Sequence, residues 1–470
     1  MERLFLSAHA CVLLALALAD FGPALAQTTY QPAPNYPFES AIDAPMTYGR
    51  YTQGPGFYYT GRGGTYNGYQ SSPAWVNRSR ETGGQVTELV ASLRNPNSRV
   101  RGEAAAALGA LGPTAAGAVP ALVAAMGDPS DYVRLEASTA LVAIGKQAVP
   151  ALTQALTSPN PHVRRRAAQV LAEMGPVAQP AAPALTSALQ DKDTRVQSDS
   201  AHALWSVTGN ADNAVPVLRA SLKDKRPDVR QRAAGYLGQM GAPAAAAAGD
   251  LQGALADPNG QVRVASAHAL WRVSGQGAAG VQALIDSLKS EDPSLRQNAL
   301  SALGRMGAAA AAAIPAITKM AESSDPFASV QATNVLAQLG GGAVPALISL
   351  LKFPDGNVRM NAASALGTMG TEAAPAVQAL ITALGDGQAF VRAQAAVALG
   401  SIGSLAKDAV PALITALSDA SASVRANAAE ALGEMGGAAA AAIPALKVAT
   451  SDPDINVQDQ ATNSLGLVQP

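Results

Sequence analysis

The chain has 470 residues, of which 14% are charged, 4% aromatic and 48% apolar, with 33 basic against 34 acidic side chains. A net charge of −1 excludes a broad footprint for nucleic acid, which rests on clustered Lys and Arg. One cysteine and four histidines exclude a disulfide framework, a four-cysteine zinc site and an iron–sulfur cluster.

Residues Leu4 to Ala19 form an apolar stretch after Arg3, and Ala24-Leu25-Ala26 supplies the small-residue pattern of a cleavage site. This predicts a secretory signal peptide over 1–26, removed before Gln27. The stretch is about 16 residues long, short of the ~20 that span a bilayer. The expectation is export to the periplasm or beyond the cell, with no integral membrane span and no cysteine in the mature chain. Residues 27–84 then hold eight of the ten tyrosines among Gly, Pro, Ser, Asn and Gln. No helical or strand period survives there, which predicts a disordered leader. A solvated spacer accounts for it; weak adhesive contacts through the tyrosines are the alternative.

From residue 85 to 470 the sequence repeats with a period of 33 residues. Twelve repeats are anchored on Val100, Val133, Val163, Val196, Val229, Val262, Leu295, Ala328, Val358, Val391, Val424 and Val457. The eighth residue after each anchor is Leu, and the fourth is Ala in ten repeats and Ser in two, Ser200 and Ser266. Offsets 0, 4, 8 and 11 lie along one helical stripe, with the small residue allowing close helix approach. Asp stands five residues before seven anchors, as at Asp128 and Asp419, and Gly stands twelve residues after nine, as at Gly145 and Gly403. These read as an N-cap and a left-handed C-cap. A second helix begins at Val-Pro-Ala-Leu motifs such as Val119-Pro120 and Val410-Pro411. The expected fold is all-α: a right-handed α-solenoid of about twelve stacked helical hairpins, an α-α superhelix. Met at offset 11 in alternate repeats, and Ala-His-Ala-Leu-Trp recurring after 66 residues, mark duplication of a two-repeat block. They predict alternating packing.

The Asp-Pro, Val-Arg, Ala and Leu ridge, Gly and Val-Pro-Ala-Leu signals resemble the HEAT-repeat family, specifically short bacterial phycobilisome-lyase HEAT-like repeats. The resemblance implies the fold and leaves function open. Bilin lyases of this repeat type attach a chromophore to a partner's cysteine, and no motif here carries that activity over. Deoxyhypusine hydroxylase-like proteins use His-Glu pairs to bind iron, and this sequence has no His-Glu dipeptide.

His202, Trp205, His268 and Trp271 are the unusual side chains of the array, each His three residues before its Trp. With Tyr236 between them, they are candidate aromatic docking points on one surface. The competing explanation is that Trp takes the place of a Gly present at this offset in seven other repeats and fills a gap between helices. The two histidines, two repeats apart, stand roughly 20 Å from each other by ordinary helix spacing, too far to share a metal. Arg follows the anchor in nine repeats. A ladder with the capping Asp six residues earlier, within or between repeats, explains it better than an anionic ligand. The expected role is an exported, non-enzymatic scaffold binding a protein along the concave face formed by the second helices, through residues such as Thr382 and Thr415. A cell-surface polymer is the other partner class considered, and nucleic acid is excluded. No cofactor or metal is expected. The runner-up is an enzyme or enzyme accessory related to the HEAT-like lyases and hydroxylases.

Overall fold

The computed structural model describes residues 82–468 except Gln276 and Ser324. The signal peptide expected over 1–26, and nearly all of the leader expected over 27–84, lie outside the described residues. Every regular element among the described residues is helical. After α1 (Thr82–Ser92), the first helices of the twelve repeats are α2 (Ser98–Leu111), α4 (Asp131–Ile144), α6 (Pro161–Met174), α8 (Thr194–Thr208), α10 (Pro227–Met240), α12 (Gly260–Ser274), α14 (Pro293–Met306), α16 (Pro326–Gln338), α18 (Gly356–Met369), α20 (Ala389–Ile402), α22 (Ala422–Glu434) and α24 (Ile455–Val468). The short second helices between them are α3 (Val119–Ala125), α5 (Val149–Ala155), α7 (Ala182–Ala188), α9 (Ala214–Ser221), α11 (Ala248–Gly253), α13 (Ala278–Ser287), α15 (Ile314–Ala321), α17 (Val344–Leu350), α19 (Val377–Ala383), α21 (Val410–Ala416) and α23 (Ile443–Ala449). They fall into two compact units, one ending at Ala283 and one starting at Leu284. Each unit is a stack of helical hairpins.

The expected stripe forms the core. The residue at offset 4 is fully or almost fully buried in every repeat, and the offset-8 leucines from Leu108 to Leu432 are buried as well. Isolated helices this short are marginal in water, so burial of this stripe is what holds them.

Both helix-end signals act differently from expectation. The seven aspartates are not N-caps. Each accepts the backbone N–H two residues on, as Ser130 N to Asp128 Oδ1 at 2.9 Å and Ser421 N to Asp419 Oδ1 at 2.8 Å, and the helix starts after that. The cap positions therefore fall on residues such as Asn97, Asn160 and Asp193. At the other end, Gly112 (φ 57°, ψ −135°) and Gly403 (φ 69°, ψ −142°) have positive φ but lie outside the left-handed helical basin. That region is essentially restricted to glycine, and it turns the chain into a short 3-10 segment leading to the second helix. True left-handed caps occur one residue later, at Gly209 and Gly275, after the two Trp-containing helices, which run to 15 residues. Three stretches, Ser98–Ala125, Pro293–Ala321 and Ala389–Ala416, are long and apolar enough to cross a membrane by length and composition. Each is two helices of one hairpin, turned at Gly112, Gly307 and Gly403.

The Arg ladder runs between repeats, not to the capping carboxylate six residues earlier. Arg392 donates from Nε and Nη2 to both oxygens of Asp419, 27 residues on, at 2.7 and 2.8 Å, and from Nη1 to the Asp386 carbonyl at 2.8 Å. Arg101–Asp128, Arg164–Asp191, Arg230–Asp257, Arg359–Asp386 and Arg425–Asp452 repeat this bidentate geometry. Arg134, Arg263 and Arg296 bond carbonyls of their own loops, and the matching position in the following repeat is Ser158, Ser290 or Ser323.

Wherever a rung joins two repeats, their first helices also pack extensively. Small residues allow it. A Cβ on Gly109 would lie 3.0 Å from Ala140 Cα, one on Gly238 3.0 Å from Ala269 Cα, and one on Gly400 2.8 Å from Ala431 Cα. These pairs occupy offset 9 of one repeat and offset 7 of the next. In the first unit the α2–α4, α6–α8 and α10–α12 pairs are tight, whereas α4–α6 and α8–α10 are loose. The loose steps carry Val142 with Val170, and Trp205 with Tyr236, at those offsets. Alternation is thus present in the first unit. In the second, α18–α20, α20–α22 and α22–α24 are uniformly tight, with Gly367–Ala398, Gly400–Ala431 and Gly433–Ser464 at the contact. Offsets 7 and 9 set the spacing, not the methionines at offset 11.

Two glycines of α10 separate packing from propensity. Gly238→Ala is expected to cost about 1–3 kcal/mol by overpacking. Gly235→Ala has nothing within 4 Å of the added methyl and is expected to stabilise by up to about 1 kcal/mol. Urea midpoints of the two variants check this, and equal shifts would contradict it. For the ladder, a double-mutant cycle of Arg392→Lys with Asp419→Asn should give a coupling of about 1–3 kcal/mol. The Arg392 hydrogen bond holds the Asp419 carboxyl below its usual range, and Asp128, Asp386 and Asp452 are lowered by the same cause. Because these folded-state values are depressed, the rungs contribute fully above about pH 4 and lose their contribution as pH falls through the folded values. Denaturation midpoints at pH 7 and pH 3 measure the difference.

Candidate functional site

The loose α8–α10 step is filled by polar and aromatic side chains. Asp199, three residues into the stripe from Val196, is 1% exposed. Its Oδ2 accepts from Arg165 Nε at 3.2 Å and Gln169 Nε2 at 3.1 Å, both on α6. Its Oδ1 accepts from the Tyr236 hydroxyl at 2.7 Å and Arg232 Nη1 at 3.3 Å, both on α10. One carboxylate thus ties three successive first helices together. Burial alone would raise this carboxyl, yet Arg232, Arg165 and the Tyr236 hydroxyl hold it below its ordinary value.

His202, one turn along α8 from Asp199, stacks flat on Tyr236 with ring centroids 4.1 Å apart and planes 5° from parallel. Trp205 meets the same imidazole tilted by 41° at 5.8 Å and packs against the hydrophobic core. Burial pushes His202 down to about 4, against the pull of Asp199 and a hydrogen bond with Gln239. The ring is therefore neutral at pH 7. Burial and the Asp199 charge drive the Tyr236 phenol upward, so it stays protonated as a donor. A neutral imidazole stacked on Tyr236 and edged by Trp205, and a carboxylate with four donors, form a cross-helix brace.

The candidate residues therefore part company. His202, Trp205 and Tyr236 come together between α8 and α10, each half-buried. His268 and Trp271 repeat the pair, with centroids 5.7 Å apart and the Arg272 guanidinium 6.0 Å from the Trp271 ring. Ala265 stands where Asp199 stands, so the second pair lacks the carboxylate. Thr382 and Thr415 are exposed on α19 and α21, each hydroxyl donating to a carbonyl of its own helix at 3.1 Å. Their oxygens remain able to accept. Asp199, Arg165, Gln169, Arg232 and Gln239 were not candidates from sequence. A partial signal existed, because offset 3 reads Arg166, Asp199, Arg232 in consecutive repeats; stacking brings Asp199 to Arg232, but on the other side it meets Arg165 at offset 2, not Arg166.

Among the described residues, no group of three or more His, Cys, Asp or Glu is placed to hold a metal ion. The second helices of the second unit present matching exposed positions: Pro345 and Ser349, Gln378 and Thr382, Pro411 and Thr415, Pro444 and Val448. Between them, Val344, Leu347 and their counterparts face the core.

The His202 ring should titrate near pH 4 in a histidine NMR titration of the folded chain. Its unfolded value lies near 6.5, so its contribution to stability is complete above that pH and declines as pH falls toward 4. A folded-state titration at 6 or above would contradict the enclosed geometry.

The family model for HEAT repeats matches residues 119–205, 184–248, 250–333, 314–400 and 377–466. No curated protein matches the chain. Among solved structures, importin beta in an ammonium sulfate condition aligns with a TM-score of 0.55 at 15% identity, over 82% of this chain and 61% of that one. Kap95p with RanGDP gives 0.47 at 14%, over 82% and 55%. Kap121p bound to Nup53p gives 0.45 at 14%, over 84% and 50%. This chain thus spans less than two thirds of the importin beta chain, and the likeness is one of fold. Tandem hairpins, inter-repeat Arg–Asp rungs and family matches over most of the sequence lead to one conclusion: the chain belongs to the HEAT-repeat family.

Proposed function

We propose that this protein is an exported, non-enzymatic scaffold, periplasmic or extracellular, that holds a protein partner against its row of second helices. The observation that carries the reading is the register of exposed positions on α17, α19, α21 and α23. Each helix buries a central Leu and a terminal Leu or Ala inward and leaves Pro or Gln and a small Ser, Thr or Val outward. Repetition at one-repeat spacing makes a long face of small, uncharged side chains. Such a face suits many weak contacts with another polypeptide, with shape and hydrogen bonds supplying affinity. HEAT-repeat membership and the importin beta-like fold support a binding role, and the N-terminal pattern at Leu4–Ala26 supports export.

A photoreactive amino acid at Thr382 or Thr415, introduced in the native cell, tests the proposal. The expected result is one discrete crosslinked protein shared by both positions and absent when the probe sits at Glu434 on a first helix. Thr382→Arg with Thr415→Arg should reduce capture of that protein by at least about tenfold, the scale of a lost contact cluster. Equal capture from all positions, or adducts only with polysaccharide, would sink the protein-partner reading. N-terminal sequencing of exported protein beginning at Gln27 would support the leader assignment; retention of an intact Met1 form inside the cell would not.

A further inference from the structure

Near-zero net charge conceals a division between the units. Residues 84–283 carry 18 Lys and Arg against 14 Asp and Glu, whereas residues 284–468 carry 10 against 15. The near-zero total therefore understates the charge of the first unit. Its basic excess gathers beside a shallow cleft between the loops preceding α8 and α10, lined by Lys192, Asp193, Lys223, Asp224, Lys225 and Arg226 among others.

The cleft lies at a step without a rung. Gln197 occupies the ladder position and donates to the Asp191 carbonyl at 2.6 Å, so no guanidinium from the anchor pair reaches across to Asp224. Asp224 accepts instead from Thr194 and, at 3.4 Å, from Arg226. Lys192 and Lys225 stand four residues before their anchors. No other repeat has Lys at this position, where the array carries Pro in six repeats. Both lysines are exposed, and no salt bridge of either occurs among the described residues. Lys223 lies 3.2 Å from Asp250 but is 74% exposed. Three ammonium groups thus rim a cleft that also holds two carboxylates.

We infer that this cleft binds an extended, acidic polypeptide segment, on a surface separate from the second-helix face and independent of that reading. The lysines of adjacent repeats are separated by about one helix-packing distance, roughly 10 Å. A chain in the polyproline II conformation advances about 3.1 Å per residue with three residues per turn, so carboxylates three residues apart share one face and match Lys192 and Lys225. Asp193 already accepts from Arg195 N and Arg226 Nη2, and Asp224 from Thr194 and Arg226. Their charge between the lysines disfavours the continuous negative charge of a phosphodiester backbone more than a peptide with spaced carboxylates.

The test is fluorescence anisotropy of the full chain with a fluorescein-labelled 15-residue peptide repeating Glu-Gly-Ser. The matching Gln-Gly-Ser peptide and a labelled oligothymidylate serve as comparison probes. The Glu peptide should bind, weakening at least about tenfold between low and 0.3 M salt as exposed charges are screened. Lys192→Glu with Lys225→Glu, both on exposed side chains, should weaken it by at least about tenfold, while Lys352→Glu in the second unit should leave it within about twofold. Circular dichroism confirms that the variants are folded. Absent binding, equal loss in the Lys352→Glu control, or binding of the Gln peptide or oligothymidylate as tight as that of the Glu peptide would each overturn the assignment.

Discussion

Six steps of the described stack are fixed by a bidentate Arg–Asp contact made from one repeat to the next. Each guanidinium fork spans a carboxylate of the following loop, and its remaining nitrogen binds carbonyls of its own loop. Such paired, charge-assisted hydrogen bonds are directional, so a rung fixes both the distance and the rotation of neighbouring hairpins. The carboxylate is itself shaped by the backbone N–H it accepts two residues on. Rungs and small interface residues coincide, because a fork can close at 2.6–2.8 Å only if the first helices approach closely. Glycine opposite alanine permits that approach.

Steps without a rung obey different chemistry. At α8–α10, bulky Trp205 and Tyr236 hold the helices apart, and the space is filled by a carboxylate with four donors and a stacked neutral imidazole. A buried charge is tolerated when its attraction to partners offsets desolvation, and Asp199 meets that condition through two guanidiniums, an amide and a phenol. Removing the Asp199 carboxylate would leave the Arg165 and Arg232 guanidiniums without this partner. The same step opens the loop edge, where exposed lysines collect. Where Gln197 takes the place of a ladder arginine, a polar interior cluster and an exposed lysine rim occur at the same step.

Much of this architecture was legible in sequence. The period of 33, the buried stripe and the hairpin order follow from residue spacing alone, since a 3.6-residue helix can place offsets 0, 4, 8 and 11 on one face only. The Asp and Gly punctuation was visible but assigned to the wrong local roles. An Asp two residues upstream of a cap looks like a cap in one dimension, and a positive-φ glycine gives no clue to its ψ. The Trp205 site was half legible. Its substitution for glycine pointed to a filled gap, whereas the ion network around Asp199 joins residues 33 and 34 positions apart, and only stacking defines which of them meet.

The sequence by itself determined which residues face inward, where each hairpin turns and which family the chain belongs to, because these are properties of single repeats and their periodicity. Tertiary structure decided which steps are tight or loose, which arginine reaches which aspartate and which aromatic residues meet. Those outcomes depend on pairs of residues from different repeats. Composition reported 33 basic and 34 acidic side chains as near balance. Among residues 84–468 the two units share their charges unequally, and the first gathers its basic excess beside one cleft, because proximity in space, not the chain total, sets the field a partner meets.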